Sequence, residues 1–385
     1  MPEAARALGA SSAPHLTVLS GRRSVPLVRE MRREDLPRAA RMFAEVMRST
    51  APGSDARLAS FFERTLFDHP WPDPELPSWV AEDGDGSIIG MIGTQARRLR
   101  MGERELRLAG VGFFVVAARA RRGAVGLEIA RRVMSGPQDA SFADSASVVI
   151  ERLFAPRFGG RVVELSGVHW VRAWRPSAVI DGLLPSASAR MQAVAPTRML
   201  ARGIDRAAAL ATGPLLAPPK VDTMVETLTP ELLLEHLDAV TEGPGPHVAY
   251  DEPWLRWLFS RLGDAPERGL PVRHLVRDAD GRALGWYVYY LRPGGRSEVM
   301  QVKARRRDMG AVLDHLLRHA WEHGSAMLRG RVEPGITALV ARRRCMLWYR
   351  GGALAHSSDP ELAEALVRHG TMTRLDNEWF SDCLV

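Results

Sequence analysis

The chain has 385 residues, of which 46% are hydrophobic and 25% charged, with a formal charge of +7 and a pI near 10.0. That is the composition of a soluble globular protein long enough for two cores, and no apolar run approaches the roughly 18 residues that span a bilayer. Lys220 and Lys303 are the only lysines, and the arginines are spread among acids, so the basic charge reads as a general affinity for anions rather than as a nucleic-acid-binding arm.

Residues 1–22 lack a basic start followed by a sustained apolar core and read as a flexible tail, not a secretory leader. Cys345 and Cys383 are far apart and fit a reduced cytoplasm better than a disulfide framework; their neighbours suggest no metal site. Val25 to Met47 opens with a short strand and moves into an amphipathic helix, with Asp35 as N-cap, Pro37 early in the helix and apolar residues at Ala39, Met42, Phe43, Val46 and Met47. Ala56 to Phe67 forms a second helix, stopped by the Pro-rich loop His69 to Pro77. Trp79 to Glu82, the turn Asp83 to Gly86 and Ile88 to Gly93 make a hairpin. A further strand, Gln95 to Met101, turns at Gly102-Glu103.

The run Leu106 to Met134 is the most informative stretch. A Val- and Phe-rich strand, Leu108 to Val116, breaks at Arg119-Ala120-Arg121-Arg122-Gly123-Ala124-Val125-Gly126 and resumes at helical spacing with Leu127, Ile129, Ala130, Val133 and Met134. A helix that starts at the end of a strand presents unpaired amides with partial positive charge, and Arg121 and Arg122 add full charges beside them, so the turn suits a phosphate. The alternative is an ordinary strand–helix connector in an Arg-rich chain. Downstream, Ala140 to Asp144 is the next strand, Ser147 to Phe158 the next helix and Val162 to Leu165 a further strand.

The turn resembles the acyl-CoA-binding turn of the GNAT acyltransferases, a strand ending in V-x-P followed by R-x-x-G-x-G or G-x-A at a helix start. Arg121 stands at the Arg position and Gly126 at the last Gly; Ala118, Ala120 and Ala124 replace the Pro, a common aromatic and the first Gly. The order β-α-α-β-β-β-α-β-α-β over about 150 residues is also the GNAT order. The second half repeats the outline: a helix from Thr229-Pro230 to Val240, an amphipathic Tyr250 to Leu262, a hairpin of Val272 to Val276 with Leu284 to Tyr290, a strand Glu298 to Val302 and a helix Gly310 to Glu322. Its loop Lys303 to Met309 is basic but lacks the phosphate-turn spacing. The resemblance therefore implies an α/β (α+β) chain of two tandem GNAT-like domains, at 23–200 and 221–385 around a linker at 201–220, each a mixed sheet flanked by helices and the second without a phosphate turn. The Trp254-Leu255-Arg256-Trp257 and Thr373 to Trp379 stretches extend the resemblance to tandem bacterial proteins of this superfamily, including those near exopolysaccharide genes, and more distantly to Fem-type aminoacyl transferases.

What the resemblance implies is transfer of an acyl group from acetyl-CoA or another acyl-CoA to an amine of a small-molecule or sugar acceptor, in the cytoplasm, with no nucleic acid or membrane span as partner and a homodimer left open. Phe114, Val115 and Val116 would hold the pantetheine arm, and Arg121, Arg122, Gly123, Ala124, Val125 and Gly126 the pyrophosphate. The family's usual acid, a Tyr after the fifth strand, has Phe154 near its place, and all five tyrosines lie in the second half; either water serves the leaving thiolate or a second-half residue reaches across. For the base, His169 ranks first because it titrates nearest neutrality, followed by Glu164 and Asp144, with Glu151 as a further local option. The competing readings are a packed interfacial His169, a helix-capping Asp144 and a solvated Glu151. Trp286, Tyr287, Tyr289 and Tyr290 would line a sugar cleft or form core on one face and a domain contact on the other. A Fem-like transferase with another donor, a non-catalytic acyl-CoA sensor and, last, a nucleic-acid binder are the other readings.

Overall fold

A computed structural model describes residues 25–47, 54–144, 152, 156–175, 217–241, 243, 245–333, 335–349, 351–369 and 372–376. Residues 201–216 of the expected linker, Phe154, Glu151, Asn377 to Trp379 and most of the Ser147 to Phe158 helix lie outside these residues.

The first half begins with strand β1 (Leu27–Glu30), helix α1 (Leu36–Met47) and helix α2 (Ser54–Phe62). Asp35 does more than cap: it is 2% exposed, lies in the 3-10 turn before α1 and is held by Arg29 (2.6 Å) and Arg38 (2.5 Å). Strands β2 (Trp79–Glu82), β3 (Ile88–Met101) and β4 (Arg104–Val116) follow, then α3 (Val125–Met134), β5 (Ala140–Ala143), β6 (Arg161–Val163) and β7 (Val168–Ala173). The stretches read as two strands at 88–93 and 95–101 are one strand, because Gly93 and Thr94 continue the ladder to β4 rather than turning. Glu164 and Leu165, read as strand, belong to a 3-10 turn.

The second half contributes β8 (Met224–Thr227), α4 (Pro230–Val240), β9 (His247–Val248), α5 (Glu252–Arg261), β10 (Leu270–Arg277), β11 (Ala283–Leu291), β12 (Arg296–Ala304) and α6 (Met309–Glu322). It ends with β13 (Met327–Arg331), α7 (Thr337–Arg342), β14 (Met346–Tyr349), β15 (Ala353–His356) and α8 (Pro360–His369). Thr229 and Asp251 cap α4 and α5, each accepting from the amide three residues on, and each helix has Pro in its first turn.

These strands make two mixed sheets. One runs β1-β2-β3-β4-β5-β15-β6 with β9 on β3, and the other β14-β7-β13-β12-β11-β10-β8. The sheets do not divide at 201–220. Strand β7, from the first half, pairs with β13 and β14 in the second sheet, while β15, from the second half, sits between β5 and β6 in the first. Packing fixes the exchange: Trp170 of β7 is 1% exposed and lies on Gly330 of β13, where any Cβ would run into the indole.

The two sheets also share a core. Trp286, Val288 and Tyr290 on one face of β11 join the cluster built by α1, α2 and the first sheet, and Tyr287 and Tyr289 on the other face pack under α6. The aromatic run is therefore core on both faces, not a sugar cleft.

Where the second sheet's parallel pair β12 and β13 ends, Glu298 is 5% exposed among Arg268 (2.7 Å), Arg374 (3.3 Å) and Arg329. Burial would raise its pKa, but Arg374, Arg329, Arg268 and Arg296 together hold it well below the usual carboxylate range. Removing one member of such a cluster leaves buried like charges facing each other. Glu298→Ala is expected to cost about 3–5 kcal/mol, read as a lower denaturant midpoint; an unchanged midpoint would show the cluster to be dispensable.

Candidate acyl-CoA site: an open strand fork and an uncapped helix start

Strand β4 is paired along one edge with β3, but its other edge meets the parallel β5 only at Leu108↔Ala140, Ala109↔Ser141 and Gly110↔Phe142. Beyond Gly110 the two strands part. The register with β3 slips between Met91 and Gly93, and Phe113 adopts φ 53°, a left-handed conformation unusual for a non-glycine residue. Such a bulge bends and twists the strand locally. Three rings hold Phe113 there, with centroids of Phe43, Phe61 and Phe62 at 6.3, 5.7 and 5.3 Å. Gly93 is needed opposite, since a Cβ on it would meet the Phe113 ring.

The crotch of this fork is a cavity lined by Gln95, Arg97, Val111, Phe113, Phe142 and Asp144. Its floor is polar and buried. Arg97 donates to Gln95 Oε1 (2.5 Å) and to the Asp376 carbonyl (3.1 Å), and its guanidinium lies 4.6 Å over the Trp254 ring. Burial lowers its pKa to about 10. Tyr250 arrives beside it because β9 pairs with β3 two residues earlier; its hydroxyl donates to Asp376 and accepts from Gln301 (3.0 Å).

At its far end β4 runs into a 3-10 turn, Ala118–Ala120, and then α3. Arg121, Arg122, Gly123 and Ala124 are exposed, Val125 is buried and Gly126 half-buried. Ala124 stands at the cap position and supplies no side-chain acceptor, so it leaves the first-turn amides of α3 without a side-chain cap. Ala124 has φ −81°, so its replacement of the family's Gly introduces no backbone strain. Gly126 is the tight position: a Cβ would come within 3.3 Å of Val116 and 3.4 Å of Phe114. Arg121 donates to the Val116 carbonyl (3.1 Å) and Arg119 to Ser87 (2.6 Å), and among the described residues Arg122 makes no ion pair.

No protein-family model matches the chain, and no curated protein does. Solved structures do resemble it. A GCN5-related N-acetyltransferase from Kribbella flavida superposes with a TM-score of 0.53 at 14% identity, over 87% of this chain and 71% of that one. Another from Anabaena variabilis gives 0.55 at 9% identity, over 86% and 73%. The Saccharomyces cerevisiae N-myristoyltransferase with bound myristoyl-CoA gives 0.51 at 9% identity, over 86% and 82%. The fold is GNAT-like.

The second GNAT-like sheet repeats the parallel pair but not the phosphate turn. Asp308 occupies the cap position of α6, buried and paired with Arg282 at 3.2 and 3.3 Å, so a fixed carboxylate sits where an anion would otherwise go. The basic loop is partly engaged as well, with Arg305 donating to the Ala239 carbonyl.

The structure spreads the sequence-stretch residues unevenly around the first fork. Phe114, Val115 and Val116 lie on the parted end of β4, and residues 121–126 form the exposed turn. Asp144 lines the crotch and accepts an ion pair from Arg331 of β13, which also donates to the Met372 carbonyl (2.6 Å). Asp144 thus works as an anchor between the sheets. His169 does not follow a strand but lies inside β7, opposite Arg331 in register and stacked on Trp348 at 5.6 Å. Glu164 is exposed on its 3-10 turn.

Two groups that sequence reasoning missed stand beside the crotch: Arg331, which holds Asp144 at it, and Glu333, which with Arg331, Val163, Ser166 and Met372 lines a neighbouring cavity. Nothing in the local pattern marks Arg331: it is a strand residue with the charge of a solvated one. Among the described residues no helix is long and apolar enough to cross a membrane.

Proposed function

We propose that the chain is an acyl-CoA-dependent N-acyltransferase that acts on a small-molecule or sugar amine in the cytoplasm. The observation that carries this reading is the continuity of two features: the end of the β4–β5 ladder at Gly110 and, at the end of β4, an exposed turn leading into a helix start with no side-chain cap from Ala124. An extended amide-bearing arm can add to the first as a strand would, and a diphosphate suits the second. Phe114 to Val116 would then hold the pantetheine arm, the amides of Arg122 and Ala124 to Gly126 would take the pyrophosphate while the Gly123 amide stays bonded to the Ala120 carbonyl (3.1 Å), and Arg121 and Arg122 would balance its charge. Resemblance in fold to acyltransferases, one of them with an acyl-CoA bound, favours the same donor.

The thioester would sit at the crotch, where β13 of the second sheet supplies Arg331 and the segment after β9 supplies Tyr250, so the acceptor is expected between the sheets. There the amine nitrogen attacks the thioester carbonyl, a C–N bond forms and the C–S bond breaks with its electron pair going to sulfur. Calorimetric titration with acetyl-CoA and longer acyl-CoAs, followed by thiol release on a panel of amines, tests the reading. Micromolar-range binding is expected. Failure to bind any of them would end it, and binding without turnover on a broad panel would favour a sensor.

A further inference from the structure

We infer that Glu333 is the catalytic base that takes the proton from the acceptor amine. This rests on the acyl-transfer reading above. Glu333 follows β13 and lines the cavity next to the crotch, with Val163 and Ser166 from the first sheet and Arg331 and Met372 beside it. The two cavities meet at one ion pair, Arg331 with Asp144, so a group in the second lies one side chain away from where the thioester would stand. Of the carboxylates around this point the others are engaged. Asp144 is bound by Arg331; Asp376 accepts from Tyr250, from the Thr373 hydroxyl (2.6 Å) and from the Thr373 amide (3.0 Å). Arg331 donates to Asp144 and to the Met372 carbonyl and acts on Glu333 through its charge.

The charged and titratable groups that face Glu333 come from four elements: Lys303 of β12, Arg331 of β13, Asp376 of the closing 3-10 turn and Tyr250 before α5. Burial is the largest influence and raises its pKa, Lys303 and Arg331 pull it back, and Asp376 adds to the rise, leaving it at about 7. A base with a pKa near the working pH is the efficient one. In the step itself the amine N–H proton passes to a Glu333 carboxylate oxygen as the C–N bond forms. The thiolate leaves with the C–S electron pair and is protonated from solvent, and Glu333 returns its proton to solvent.

The test is thiol release from acetyl-CoA by the full chain between pH 5.5 and 8.5, with water and then primary amines as nucleophile, beside the calorimetric affinity for acetyl-CoA. Wild type is expected to speed up tenfold per pH unit and level off above about pH 7. Glu333→Gln is expected to bind acetyl-CoA as wild type does, to be about 10²–10⁴-fold slower and to lose the inflection; Glu333→Asp should recover part of the rate. Lys303→Met keeps the carboxylate and removes a neighbouring cation, so its inflection should move to higher pH, which covers the case of a poorly folded Glu333→Gln. A wild-type rate or a retained inflection in Glu333→Gln, or an unmoved inflection in Lys303→Met, overturns the assignment while leaving the acyl-transfer reading intact. Absence of acetyl-CoA binding by wild type removes that reading, and the assignment with it.

Discussion

Gly126→Glu is expected to reduce acyl-CoA affinity by at least about a hundredfold, the equivalent of about 2.7 kcal/mol, while the fold survives. The argument has a steric and an electrostatic part. A Cβ at this position would meet Val116 and Phe114 at 3.3 and 3.4 Å, close enough to require a small shift of α3 against β4 but not to forbid the helix. The carboxylate is the larger effect. It would stand in the first turn of α3, where the amides of Val125 and Gly126 and the exposed Arg121 and Arg122 offer positive potential, and would claim those donors for itself. Gly126→Gln separates the two parts, because it adds the same bulk without the charge and should retain most of the affinity. Calorimetry on the three proteins reads the result. Equal affinity for wild type and Gly126→Glu would move the cofactor elsewhere.

The parts of the fold that the sequence reveals are those set by local period and punctuation. The β4 run, the Arg-Arg-Gly turn and the α3 spacing lie next to each other in the chain, so strand, turn and helix follow from patterns a few residues long. The same holds for α4 and α5, whose Thr229-Pro230 and Asp251 starts are local hydrogen-bonding devices. The strand exchange has no such local mark. β7 pairs with β13 about 160 residues away and β15 with β5 more than 200 away, as in Trp170↔Gly330 and Ala355↔Phe142. No side-chain alternation tells a strand which sheet will accept it. The candidate site fails in a related way. Asp144 was legible as an acid at a strand end, but its partner Arg331 and its neighbour Glu333 belong to the other half of the chain. A charged residue near a strand end reads as solvated unless the group that buries it is known, whereas His169 ranks first in the sequence because an imidazole is the side chain that ordinarily titrates nearest neutrality.

Acidification from pH 7 to 4.5 is expected to unload the second sheet's core. Beneath α6, His274 Nδ1 lies 2.9 Å from the Tyr287 hydroxyl, which lies 3.0 Å from His315 Nδ1; the Tyr289 hydroxyl lies 2.7 Å from His319 Nδ1. His319 stacks on His323 at 4.0 Å and meets His274 at 4.8 Å. Burial, followed by the neighbouring imidazoles, lowers His274 to about 4 and His319 to about 3; burial also lowers His315, against the pull of Glu322. These bases are held neutral by the folded state, so below about pH 6.5 the unfolded chain binds protons that the folded chain refuses. Their stabilising contribution is complete above pH 6.5 and falls away as the pH drops towards the folded values. Discounted for their partial exposure and their coupling, the two imidazoles together are worth on the order of 2–3 kcal/mol by pH 4.5, a sizeable share of the stability of an ordinary domain. Glu333 acts in the opposite sense across the same range, because a carboxyl raised to about 7 is stabilising when protonated and costly when ionised. Comparison of wild type with His274→Gln/His319→Gln cancels that contribution. Denaturant midpoints of wild type should fall more steeply between pH 6.5 and 4.5 than those of the double variant; parallel curves would show that these two imidazoles are not what makes this core sensitive to acid.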